Sequence, residues 1–299
     1  MSAPCLLAAW EGNVMAIDLF SIGRFTVHGY GLMVGLGFLA AVFSGSYLAK
    51  RRGLSENDFV NMAIYVLLIG FLGGKLLHVI VEFRAFLADP MSVIGSEGFA
   101  VYGGIITGIA TIYVYCRIKK LVFLEYIDLF ATVVPVNQAL GRIGCLLAGC
   151  CYGRETTSSF SLVFPEGCSA PPGVKLIPTQ PIMAAGNFLI FVVLTVLYLR
   201  SCPGEDKNVA PAKMRYVPGV LTALYLMMYS VGRFLIEYLR DDPRGSVGIL
   251  STSQFIAIFT FAGGLMLLLY SVKAKGKKPA GEDADVSSDK EPGENIDDN

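Results

Sequence analysis

The sequence predicts an all-α integral membrane protein of about seven transmembrane helices, N-terminus outside and C-terminus cytoplasmic. Composition is the first ground: of 299 residues, 54% are hydrophobic and only 16% charged, against roughly 25% charged in soluble domains. Segment length is the second. Residues 29–49, 59–82, 98–117, 127–148, 182–200, 218–238 and 252–271 each approach the ~20 apolar residues that a spanning helix requires. Charge placement is the third. Lys50, Arg51 and Arg52 follow the first segment, and Arg117, Lys119 and Lys120 the third. Arg200, Lys207, Lys213 and Arg215 lie between the fifth and sixth, and Lys273, Lys275, Lys277 and Lys278 follow the seventh. All four groups fall on one side, which the excess of cations on cytoplasmic loops makes the inner one. The other side holds the sparser Arg24, Arg84, Arg154, Lys175, Arg240 and Arg244.

Lys+Arg and Asp+Glu both total 24, so net charge alone says nothing about partners, and no nucleic-acid partner is expected. No charged region precedes the weakly apolar start at Pro4 to Trp10, so the first spanning segment is expected to do the targeting. The membrane domain is expected over 1–272, with an outer loop at 149–181 rich in Cys, Ser, Pro and Gly. A disordered cytoplasmic tail is expected over 273–299, first basic and then acidic through Glu282, Asp283, Asp285 and Asp289. No internal repeat is apparent, against the transporter architectures built from duplicated halves.

Ionisable side chains inside a bilayer are costly and mark function by default. Counting ~1.5 Å per residue along each helix sends several of them to one depth near the outer surface. The second segment delivers Lys75 and His78, the third Tyr102. The fourth carries Gln138, Arg142 and Cys145 on one face, and the sixth stacks Tyr229, Arg233, Glu237 and Arg240. Self-neutralisation of Arg233 by Glu237, or Lys75 snorkelling to the headgroups, accounts for single residues. Neither accounts for Arg142 and Arg233 together when Glu237 is the one acid nearby, and guanidinium groups at this depth call for a phospholipid phosphate, which arginine grips bidentately. Gly73, Gly74, Gly103, Gly104, Gly141 and Gly144 flank these residues, serving close helix packing or close approach of a ligand.

The strings GRIGCLLAGCCYG from Gly141 to Gly153, YGLM from Tyr30 to Met33, the pair Gly103 and Gly104, and GRFLIEYLR from Gly232 to Arg240 together resemble the prolipoprotein diacylglyceryl transferase family. The similarity runs from about Ile17 to Tyr270. It implies an enzyme of the bacterial cytoplasmic (inner) membrane that moves the diacylglyceryl group of phosphatidylglycerol onto the lipobox cysteine thiol of a prolipoprotein, releasing glycerol phosphate. By position it implies Arg142 and Arg233 as the essential arginines, with Glu237 and Arg240 following and Tyr30 and Gly153 matching. Catalytic roles are thus expected for Arg142, Arg233, Tyr102 and Glu237. Substrate binding is expected for Tyr30, Lys75, Gly103, Gly104, Gln138, Gly153 and Arg240. Partners are phosphatidylglycerol, prolipoprotein signal peptides and the bilayer; no cofactor or metal is expected.

The departures concern the proton. Tyr102 stands where the family has histidine before the paired glycines, Cys145 and Cys150 replace Asn and Glu of the signature, and Ile177 to Met183 reads IPTQPIM where His and an acid are usual. Tyr102, with a reference pKa near 10, takes a proton from a thiol only if strongly perturbed. His78 is the imidazole within reach of the layer; His28 lies at the start of the first segment. Two further readings stand beside the transferase: a relative that binds or transports an anionic lipid or small anion, and a thiol-redox protein using Cys145, Cys150 and Cys151.

Cys145, Cys150, Cys151 and Cys168 fall on the outer side, Cys116 and Cys202 at the inner boundary, and Cys5 in the N-terminal arm. A disulfide from Cys150 or Cys151 to Cys168 would pin the outer loop; inert buried thiols are the alternative. The spacing C-x4-C-C matches no familiar metal pattern.

Overall fold

A computed structural model describes residues 18–22, 25–96, 98–202, 217–241, 246–247 and 250–275. Cys5, Arg24, Lys207, Lys213, Arg215, Arg244 and the tail beyond 275 lie outside these residues, as does the apolar start at 4–10. Among the described residues, seven helices are long and apolar enough to cross a membrane: α1 (Gly29–Arg52), α2 (Glu56–Val81), α5 (Val101–Lys119), α6 (Phe123–Leu147), α7 (Thr179–Arg200), α8 (Val220–Ile236) and α9 (Thr252–Lys275). They match the seven expected segments, with ends shifted by a few residues. Two short helices, α3 (Phe83–Ala88) and α4 (Pro90–Gly95), join α2 to α5. The strands among the described residues form three small antiparallel pairs: β1 (Asp18–Ile22) with β2 (Phe25–His28), β3 (Leu162–Val163) with β4 (Lys175–Leu176), and β5 (Ser246–Val247) with β6 (Leu250–Ser251).

Helix ends follow local chemistry. Ser55 caps α2 by accepting from the Asp58 N–H at 3.2 Å, and Glu56 and Asp58 sit in the first turn, where negative charge opposes the helix dipole. Lys50, Arg51 and Arg52 end α1, and Arg117 and Lys119 end α5, the cationic complement. The helices alternate in direction. One end of the bundle, the basic end, therefore collects the C-termini of α1, α5, α7 and α9, and the other, the loop end, collects the 148–178 connection.

α6 is the central helix, more than half buried, whereas the other six expose most of their length. Between helices in lipid, packing and polar contacts replace the hydrophobic drive. The basic end supplies both. Leu48, Phe59, Met62, Cys116, Tyr126, Leu129, Leu194 and Tyr198 form its core. The Phe59 ring lies where a Cβ on Gly45 would stand. Asp128 of α6, fully buried, accepts from the N–H of Gly219 at 2.8 Å, the N–H of Thr222 at 2.8 Å and the Thr222 hydroxyl at 2.5 Å. It thus serves as a cap for α8 borrowed from another helix. The Arg52 guanidinium lies 4.0 Å from the Tyr198 ring centre and donates to the Ser201 hydroxyl at 2.5 Å.

Candidate active site at the loop end

The last turn of α6 sets up the loop end. Gly149 takes a left-handed φ of 59°. Its N–H bonds the Leu146 carbonyl and the Cys150 N–H bonds the Cys145 carbonyl, both at 3.1 Å. This pattern closes the helix and turns the chain back on itself. Cys151 then adopts a φ of 61°, uncommon for a residue with a Cβ. The consequence escapes the linear spacing: the sulfurs of Cys145, Cys150 and Cys151 lie within 4.8 Å of one another. Hydrogen bonds from the Cys145 and Cys150 thiols and from Arg240 hold the Cys151 thiol well below the ordinary thiol range. Bonding to Cys145 and Cys151 pushes Cys150 up.

The stretch IPTQPIM fixes this turn. Thr179 and Gln180, both buried at the start of α7, donate to the carbonyls of Cys151 and Cys150 at 2.9 Å each. Neither residue stood out in the sequence; the signal was a pair of polar residues opening an otherwise apolar helix.

Arg142 shares the last turns of α6, with Nη1 3.9 Å from the Cys145 sulfur. The Tyr30 ring of α1 packs against Gly144 of the same turn. Gln138, one turn earlier, donates to the Tyr225 hydroxyl at 2.8 Å, and the Tyr225 and Tyr229 rings lie 5.8 Å apart on α8. One turn on, Arg233 pairs with Glu237 at 2.6 Å and donates to the Ser253 hydroxyl of α9 at 2.6 Å. A polar path thus runs from α6 to α8.

Arg240 departs from its expected place on the Arg233–Glu237 face. Residues Glu237–Leu239 tighten into a 3-10 turn and Arg240 is extended, so the regular helical spacing is broken. Its buried side chain turns instead to the Met183 sulfur, 3.6 Å away, and to Cys151. Arg154 ties the break to the loop: its N–H bonds the Leu239 carbonyl at 2.9 Å and its Nε the Arg240 carbonyl at 3.2 Å. Gly153 pairs with Arg240 across a β-bridge. A Cβ on it would collide with the Ile177 carbonyl and lie 2.9 Å from that of Leu239, so glycine is what permits the approach.

Lys75, His78, Tyr102, Gly103 and Gly104 form a separate group on α2 and α5. Lys75 donates to the carbonyls of Ser96 at 2.7 Å and Gly98 at 3.2 Å. His78 lies 3.3 Å from the Ser96 hydroxyl. Gly103 and Gly104 abut the backbone of Gly73 and Gly70, a helix contact made by small residues. Tyr102 is 51% exposed at the start of α5.

The expected disulfide to Cys168 is not formed. Cys168 is a free thiol that donates to the Pro165 carbonyl at 3.2 Å, within a small cluster around Phe164, Ala170 and Leu176. The loop's own apolar contacts hold it.

A groove of about 690 Å3 runs between α7 and α8. Met183, Asn187, Met228 and Tyr229 line it, and Arg233 stands at its wall. Gly186 and Gly232 on its rim are exposed and have open space where a Cβ would be.

Fold and site together define a polytopic membrane protein in which arginines flank sulfur at one end of the bundle and border an apolar groove open to its flank. Residues 18–270 match the model of the prolipoprotein diacylglyceryl transferase family, and the chain belongs to that family. It is 40% identical to phosphatidylglycerol–prolipoprotein diacylglyceryl transferase 2 of Clostridium perfringens, over 90% of this chain and 100% of that relative. It is 39% identical to the transferase of Clostridium tetani, over 83% of this chain and 95% of the relative. With the Finegoldia magna transferase it shares 30%, over 83% and 92%.

Proposed function

We propose that this protein transfers the diacylglyceryl group of phosphatidylglycerol to the lipobox cysteine thiol of prolipoproteins, from the bacterial inner membrane, with its loop end outside. The observation that carries the reading is Arg233, held by Glu237 and Ser253 at the wall of an apolar groove. Acyl chains fit such a groove, and a phosphate at its polar end meets a guanidinium already oriented. Arg142 and Arg233 stabilise the charge that builds on the departing glycerol phosphate, an effect strongest where water is scarce. Arg240, Gly153 and Tyr30 shape the sulfur-lined floor, and Gln138 couples it to the tyrosines beside Arg233. Lys75, Gly103 and Gly104 are read as substrate-binding and Tyr102 as catalytic, from a group on α2 and α5 that stands apart from the arginines.

Incubating the purified protein with phosphatidylglycerol and a lipobox peptide tests this directly. The expected result is a peptide heavier by one diacylglyceryl group and released glycerol phosphate. Lipid binding without transfer would favour an anion-binding relative, a reading that Tyr102 in the histidine position keeps in view. Orientation is tested by reporters: one after residue 120 or 210 is expected in the cytoplasm, one near residue 170 outside. An external reporter after residue 210 would reverse the orientation.

A further inference from the structure

We propose that Cys145, Cys150 and Cys151 form a three-thiolate site for a thiophilic divalent cation of the zinc type, placed between Arg142 and Arg240. Tetrahedral zinc holds thiolate sulfurs at ~2.3 Å, which puts them roughly 3.8 Å from one another by the same geometry. In the structure the three sulfurs already lie within 4.8 Å of each other, so small side-chain rotations close the cage. The backbone is prepared for it. The left-handed turns at Gly149 and Cys151 bring adjacent cysteines back over the end of α6. Thr179 and Gln180 then hold the carbonyls of Cys151 and Cys150 from α7. The surroundings balance the charge: three thiolates on a divalent cation carry one net negative charge, and guanidinium groups contact Cys145 and Cys151 from two sides. Such contacts orient the ligands. This departs from the expectation drawn from spacing alone, because the grouping is made by a chain reversal.

Three protein ligands leave one tetrahedral position open, the arrangement of reactive rather than purely structural zinc. Resting on the function proposed above, that position takes the acceptor thiol. On binding, the thiol loses its proton to water, since a coordinating thiol is deprotonated outright. The thiolate sulfur attacks the glyceryl carbon, an S–C bond forms, and the C–O bond to phosphate breaks. Its electron pair leaves with glycerol phosphate, beside the arginines. The cation so ionises the acceptor in a chain that carries tyrosine at the family's histidine position.

The test uses the full chain, purified under reducing conditions and stripped of metal. Titration with Cd2+, read by its thiolate charge-transfer absorption, is expected to saturate at one equivalent, with Zn2+ displacing it. Cys145→Ser, Cys150→Ser and Cys151→Ser should each weaken binding more than about a hundredfold, while Cys168→Ser leaves it unchanged. Absence of the band, a band indifferent to Cys145→Ser, or a disulfide among the three cysteines in protein trapped in its membrane would each overturn the site. In the transfer assay, stripping metal should abolish product and Zn2+ restore it. Full transfer by metal-free protein would overturn the acceptor role. No transfer in any metal state would overturn the proposed function while the Cd2+ titration still decides the site.

Discussion

The two ends of the bundle use polar side chains in opposite ways. At the basic end Asp128 is fully buried and spends its carboxylate on the first turn of α8, and Arg52 lies flat on Tyr198. The groups there close contacts between helices. At the loop end Arg142, Arg233 and Arg240 are held in place by Cys145, by Glu237 and Ser253, and by Met183 and Cys151. They border sulfur and a groove rather than a dense core. In a membrane, where apolar packing between helices gives no hydrophobic gain, a polar group earns its place either by tying helices together or by meeting a ligand. The two ends separate these uses.

That separation can be broken experimentally, and the largest effect is expected at the loop end. Arg142→Lys or Arg233→Lys keeps the charge but loses the planar two-pronged grip, and should cost ~3 kcal/mol of transition-state stabilisation, about a hundredfold in rate. Thermal stability should hardly move. Normal transfer by both variants would sink the phosphate clamp. Asp128→Ala should do the reverse, removing roughly 2–3 kcal/mol of stability by stranding the donors of Gly219 and Thr222. Denaturation midpoints in detergent would show it, with rate per folded molecule unchanged; a rate loss without destabilisation would erase the contrast.

Smaller effects sharpen the picture. Gly232→Leu or Gly186→Leu fills the rim of the groove, where a side chain meets open space, and should slow transfer about tenfold, ~1.4 kcal/mol, without loss of stability. Unchanged kinetics would place the acyl chains elsewhere. Cys168→Ser preserves the donor to the Pro165 carbonyl and should alter stability by less than about 0.5 kcal/mol. A large drop would restore a disulfide at that position. Deleting residues 277–299 should leave insertion and transfer intact, and lost activity at normal expression would give the tail a role.

The helices were legible because a bilayer demands an apolar length, and length is written in the sequence. Their ends were less so. α2 begins at Glu56 rather than 59 because its cap Ser55 and its first-turn acids are polar, and α7 begins at Thr179 because two buried polar residues open it. The arginines were visible as charges at the wrong depth. Arg240 was misplaced because helical spacing was carried through residues that tighten into a 3-10 turn. The meeting of the three cysteines depends on a chain reversal at Gly149 and Cys151, which no periodicity encodes. Asp128 was hidden for a similar reason: its partners stand 91 and 94 residues away.

The contact of α2 with α5 carries a mechanical consequence. A Cβ on Gly103 would run into the Gly73 carbonyl and one on Gly104 would lie 3.1 Å from that of Gly70, so at these turns the two backbones themselves touch. Parts joined this way slide or tilt as a plank. The backbones that carry Tyr102 and Lys75 belong to the same plank, so a shift of one toward or away from Arg142 carries the other with it, across the joints with α1 and α6.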